Sequence, residues 1–169
     1  MSTWLTESEF RQSGARATGV TINVAFLQDI KTDNVQFKEV LSRTAIELSD
    51  STSPDPRTTV EVLLGLQDEL ETHFALEEFF GYFQNAQLTN PSLSQKAETA
   101  RNEHQELFLQ LNDIVEIAEQ VLYRECSHDI SMDSVIKRFD QFLNDLENHE
   151  ANETDLMMRL CNEEIGVGG

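Results

Sequence analysis

The chain has 169 residues, with 12 Lys plus Arg against 31 Asp plus Glu, a formal net charge of −19, a pI near 4.3 and 39% hydrophobic residues. One domain is expected, large enough to bury about 70% of its unfolded surface without a disulfide or cofactor as a staple, and the acidity excludes the basic footprint that nucleic acid or an anionic membrane requires. No apolar run approaches bilayer length and no basic-then-apolar leader opens the chain, so a cytoplasmic protein is expected.

Residues 1–21, with Trp4, Leu5 and Phe10 among polar neighbours, read as an N-terminal arm that packs aromatic surface onto the rest. A first helix is expected from Ile22 to Leu48, because Leu27, Ile30, Asn34, Phe37, Leu41, Thr44 and Leu48 recur at spacings of three and four, the mark of one buried helical stripe. Pro54 and Pro56 then break the chain. A second helix is expected from Thr58 to Leu88, with the stripe Leu63, Leu66, Leu70, His73, Glu77 and Phe80. Past Pro91, a third runs from Leu93 to Leu122 along Leu93, Ala97, Ala100, His104, Leu107, Leu111, Ile114, Ala118 and Val121. The fourth runs from Ile130 to Cys161 along Val135, Phe139, Phe142, Leu146, His149, Glu153, Leu156 and Leu160, and residues 163–169 form a tail.

Phe26, Leu64, Phe74, Phe79, Phe83, Phe108, Ile136 and Leu143 flank the stripes and widen the apolar face beyond a coiled-coil seam. Short connections between long helices force antiparallel neighbours. The expected fold is therefore all-α, an up-down-up-down antiparallel four-helix bundle over residues 22–162. Cys126 and Cys161 fall at opposite ends of such a bundle, ~45 Å apart and beyond disulfide reach, which suits a reducing compartment. Cys126-Ser127-His128 reads as a plain exposed loop rather than a soft-metal site.

The informative residues are the polar ones inside the stripes. His73, His104 and His149 occupy core positions, and two of them are followed four residues later by a stripe carboxylate, Glu77 and Glu153. Residues four apart share a helical face, so nitrogen and oxygen donors converge from one helix. Asn34 and His73 lie near their helix midpoints, while the offsets of His104 and His149, roughly 5 Å at 1.5 Å per residue, take both to the same side when neighbouring helices run oppositely. The five residues can then meet at one level. Two carboxylates held ionised in a dry core are costly unless a cation or strong donors compensate, and no Lys or Arg occupies the central turns of any stripe. A bound metal is the simplest compensation. Imidazole with carboxylate suits iron, zinc, copper or manganese, and five ligands on a bundle axis suit two bridged ions better than one tetrahedral zinc. The competing reading is a metal-free bundle whose histidines and glutamates satisfy one another, serving as a structural or protein-interaction module. No nucleophile motif and no glycine-rich phosphate loop occurs, so a binding protein is expected rather than an enzyme.

At His73 with Glu77, Asn102-Glu103-His104, and His149 with Glu153 leading into Leu156-Met157, the sequence resembles the hemerythrin family, in particular bacterial hemerythrin-like (HHE) cation-binding domains, over residues 22–162. The resemblance implies that Glu77 and Glu153 bridge two iron ions (di-iron; zinc or manganese as substitutes, or the metal lost) while His73, His104 and His149 cap them. Two family positions differ. The first helix offers Asn34 in place of a histidine, as an outer-shell donor, a weak ligand or a register-fixing core amide. The first position of the family's third-helix histidine pair is Ala100. Glu78 and Glu103 are neighbouring acids that either swing in or belong to the solvated face. Three nitrogens instead of five disfavour a simple oxygen carrier. They leave dioxygen, nitric oxide or redox sensing, with output through a protein partner or homo-oligomer, or iron handling. Oxidase or peroxidase chemistry at open metal positions is a third reading.

Overall fold

The computed structural model describes residues 24–49, 54–79, 90–124 and 130–166. They form four helices, α1 (Val24–Ser49), α2 (Pro56–Phe79), α3 (Pro91–Leu122) and α4 (Met132–Gly166), and no strand occurs among the described residues. None of these helices is long and apolar enough to cross a membrane. The expected arm, the expected reach of the second helix to Leu88, the Cys126-Ser127-His128 segment and the side chain of Cys161 lie outside the described residues.

Helix starts follow the local chemistry. Prolines expected as breakers stand inside the first turns of α2 and α3, where a missing N–H costs nothing because that donor has no intrahelical partner. Asp55 caps α2, its Oδ2 accepting from the Thr58 N–H at 3.0 Å and from the Thr58 hydroxyl at 2.9 Å. Asn90, in extended backbone, caps α3 by accepting from the Leu93 N–H at 2.9 Å. Ser131 and Ser134 cap α4 reciprocally, each N–H donating to the other's hydroxyl oxygen at 3.2 and 3.3 Å. After α3 the chain turns at Arg124, whose φ of 54° lies in the left-handed region that ends many helices. The fourth helix continues to Gly166, past the expected end at Cys161 and into the expected tail, because Asn162-Glu163-Glu164-Ile165 contains no breaker before that glycine.

Each helix packs on the next in sequence. Gln36 on α1 donates to Glu69 on α2 (2.7 Å), and the Thr44 hydroxyl lies 3.4 Å from the Val62 carbonyl. Gln67 on α2 donates to Asn112 on α3 (3.0 Å), while Gln110 and Lys96 on α3 donate to Asp145 and Asp155 on α4, both at 3.0 Å.

The buried apolar residues fall into two clusters. The larger draws on all four helices, from Phe37, Leu63, Leu66 and Leu70 to Leu111, Ile114, Phe139 and Phe142. Burying each such side chain stabilises the fold by about 1.5–3 kcal/mol relative to leaving it exposed. The smaller consists of Leu93, Ala97 and Ala100 on α3 with Leu156 on α4, and Leu160 packs against it. Ala100 therefore fills apolar space at 4% exposure. Two expected flanking residues do not widen the core: Leu64 is 40% and Phe79 74% exposed. They sit at the edge of the α2 stripe, where side chains turn outward. Between the two clusters along α3 and α4 lies a polar layer.

Candidate metal centre

The layer is assembled from residues that keep the helical period but replace the apolar side chain. His73, His104, His149 and Glu153 are all buried, as is Asn34. Their burial follows from the stripe, since a residue three or four positions from a core leucine points the same way.

The rings are oriented by what they touch. On the inner side, His73 Nε2 lies 2.9 Å from Glu77 Oε1 and His104 Nε2 lies 3.2 Å from Glu77 Oε2. Glu153 Oε1 lies 3.0 Å from His104 Nε2 and 3.2 Å from His149 Nε2. The three inner nitrogens thus converge on two carboxylates. On the outer side each ring meets a different acid: His73 Nδ1 and Asp33 Oδ2 are 3.1 Å apart, His104 Nδ1 and Glu78 Oε1 2.9 Å, His149 Nδ1 and Glu103 Oε2 2.7 Å. An ionised carboxylate only accepts, so each Nδ1 carries a proton and donates it outward. That leaves Nε2 as the atom facing the inner site, an arrangement in which outer carboxylates fix the tautomer and raise the basicity of metal-ligating imidazoles. Phenylalanines hold the ring planes: Phe37 stacks on His73 at 4.3 Å between centroids, and Phe74 on His104 at 4.0 Å.

Protonation of the layer follows from these contacts. For all three histidines burial opposes the charged form, but the carboxylates outweigh it. Glu77 and Asp33 raise His73 to about 9, Glu153 and Glu77 raise His104 to about 10, and Glu153 with Glu103 raises His149. Burial likewise pushes Glu153 up, yet the hydrogen bond from His104 and the charge of His149, 3.2 Å away, prevail and lower it to about 2. Five carboxylates, those of Asp33, Glu77, Glu78, Glu103 and Glu153, therefore face three rings, and even with every ring protonated the layer holds two negative charges in excess. Glu150 is half-buried on α4, its carboxyl raised by burial, and lies within the electrostatic reach of His73, Lys38, Glu77 and Glu153.

Donor atoms of Glu77, His104, His149 and Glu153 all lie within 4.8 Å of one another. Two buried atoms in this group, Glu77 Oε2 and His149 Nε2, have close neighbours but no partner in hydrogen-bonding geometry. Nitrogen and oxygen donors at this separation, with surplus negative charge and two unsatisfied buried atoms, fit a transition-metal cation.

Of the residues expected from sequence, His104, His149, Glu77 and Glu153 form this tight group. His73 stands outside it and joins through Glu77. Asn34 is buried, at 9% exposure, but the α1 side chain that pairs with His73 Nδ1 is that of its neighbour Asp33. Glu78 and Glu103 are engaged with histidine Nδ1 atoms and are not merely a solvated face. A signal for these outer acids was present: each helix carries a polar doublet at this level, Asp33-Asn34, Glu77-Glu78, Glu103-His104 and His149-Glu150.

Comparison with curated proteins gives no match, and comparison with solved structures gives none. The family model of the hemerythrin HHE cation-binding domain matches residues 25–161, a span that takes in the whole polar layer, and the chain belongs to that family.

Proposed function

We propose that this protein is a non-haem metal-binding hemerythrin-like domain whose centre, formed by His73, Glu77, His104, His149 and Glu153, holds iron as a two-ion cluster. The observation that carries the reading is the two-sided orientation of the rings: each Nδ1 is committed to an outer carboxylate while each Nε2 faces Glu77 or Glu153. In this reading Asn34 supports the centre from outside its ligand set. The scaffold is an up-down-up-down antiparallel bundle spanning residues 22–162. Its support is the order of the cross-helix contacts. Partner numbers fall on one helix as they rise on the next: Asp33–His73, Gln36–Glu69 and Thr44–Val62 between α1 and α2, then Gln67–Asn112 and Glu77–His104 between α2 and α3.

Bound iron supplies reversible one-electron chemistry and positions where dioxygen or nitric oxide can bind. The protein's part is to hold the Nε2 lone pairs inward, to provide the compensating negative charge, and to wall the layer with Phe37 and Phe74. We place the protein in the cytoplasm, as an oxygen, nitric oxide or redox sensor or an iron-handling protein that signals through a partner or a second copy.

A metal-free interaction module is the second reading, favoured by the ion pairs that already join the histidines to the acids. Anaerobic addition of Fe²⁺ to metal-stripped protein, followed by absorption spectroscopy on admitting oxygen, separates the two. Stoichiometric uptake with a charge-transfer band supports the iron centre. No uptake of iron, manganese or zinc supports the module.

A further inference from the structure

The inner donors are not evenly shared. Glu153 gives one oxygen, Oε1, to both His104 and His149, at 3.0 and 3.2 Å, whereas Glu77 divides its two oxygens, Oε1 facing His73 and Oε2 facing His104. Glu77, His104, His149 and Glu153 consequently make one compact group with donors mutually within 4.8 Å, drawn from α2, α3 and α4. His73 lies beyond it. Its Nε2 meets Glu77 Oε1, its Nδ1 is taken by Asp33 and one ring face is covered by Phe37.

We infer that the centre comprises two unequal cation positions, a strong one bounded by Glu77, His104, His149 and Glu153 and a weak one at His73 that shares Glu77. Four nitrogen and oxygen donors complete the set that a tetrahedral transition-metal ion takes from protein. Two donors do not, and the remainder of the weak position must come from exchangeable water or a recruited carboxylate. Loading is therefore sequential. The first ion enters the compact group and lowers its surplus negative charge, and the second binds at His73 and leaves first. This inference rests on the metal-binding reading proposed above, and the experiment distinguishes the failure of each.

The test is anaerobic titration of metal-stripped full-length protein with Co²⁺, read by isothermal calorimetry and by the visible d–d bands. The expected result is a first equivalent bound at least about tenfold more tightly than the second, of the order seen when a metal's supporting groups are lost. His73→Ala should keep the first equivalent and lose the second; His104→Ala should lose the first. His149→Gln serves in place of His104→Ala where circular dichroism shows that variant unfolded. Two equivalents of indistinguishable affinity overturn the inference but leave the metal reading standing, and so does a His73→Ala variant that weakens the first equivalent as much as His104→Ala. Failure of wild-type protein to bind either equivalent overturns both.

Discussion

Removing the charge of Glu153 while keeping its shape, as in Glu153→Gln, is the sharpest probe of the layer in metal-stripped protein. The side chain is 7% exposed, and its Oε1 serves two rings whose centroids are 4.6 Å apart. Its carboxyl is lowered from an ordinary 4.5 to about 2 because the His104 hydrogen bond and the charge of nearby His149 overcome burial. At about 1.4 kcal/mol per pKa unit that difference corresponds to about 3 kcal/mol. A similar figure, about 3–5 kcal/mol, follows from removing one partner of a buried ion pair. The proton on His104 is held by Glu77 as well, so the Glu153 side of the interaction is the part that this substitution deletes. For a chain of this size about 3 kcal/mol lowers Tm by about 6–12 °C. Because the folded pKa is depressed, the stabilisation is present above about pH 4.5 and lost as pH falls through about 2. The raised His104 sets the upper limit, with the difference shrinking as pH rises through about 10. Thermal unfolding followed by circular dichroism across this range should show wild type and variant far apart near neutral pH and converging towards pH 2. A gap of constant size at all pH values would refute the electrostatic reasoning and assign the loss to packing.

Three further outcomes follow. Metal binding should release protons at neutral pH, at least about one with each ion, because the coordinating Nε2 atoms of His104 and His73, raised to about 10 and about 9, must each give up a proton; calorimetry in buffers of different ionisation enthalpy reads the number, and buffer-independent heats would contradict it. Glu103→Gln should weaken metal binding by about 10–100-fold with the fold intact, since Glu103 holds the His149 Nδ1–H from 2.7 Å; an affinity within about threefold of wild type would show that the outer acids are not part of the centre. Asn90→Ala should cost about 1 kcal/mol by removing the cap on α3, a loss visible in urea unfolding and independent of metal.

Most of the buried pattern was legible in the spacing of residues along each helix. Every stripe residue assigned to α3 from Leu93 to Ala118 is buried, and so is every one assigned to α4 from Val135 to Leu156. His104, His149 and Glu153 were found because they interrupt those stripes. Asp33 was not, and Glu78 and Glu103 stood open between swinging in and the solvated face, because each stands one position off its stripe and reaches its histidine across a helix interface. Single-helix periodicity carries no information about a neighbouring helix. Only the polar doublets at one level point to them. The division of the inner donors, with Glu77 serving two rings by separate oxygens, is likewise a matter of side-chain rotation that spacing cannot contain. Of the 31 acids, three more than the stripes alone assign, Asp33, Glu78 and Glu103, contact the histidines of the layer.

The central claim, that the polar layer is a metal centre, is tested most directly by anomalous diffraction at the iron edge from crystals of iron-loaded protein. The account predicts a peak about 2 Å from the Nε2 atoms of His104 and His149, the length of an imidazole–metal bond, beside Glu153 and Glu77, with a weaker second peak near His73 Nε2. An anomalous map with no peak in the layer, or with iron only on surface acids, would contradict it.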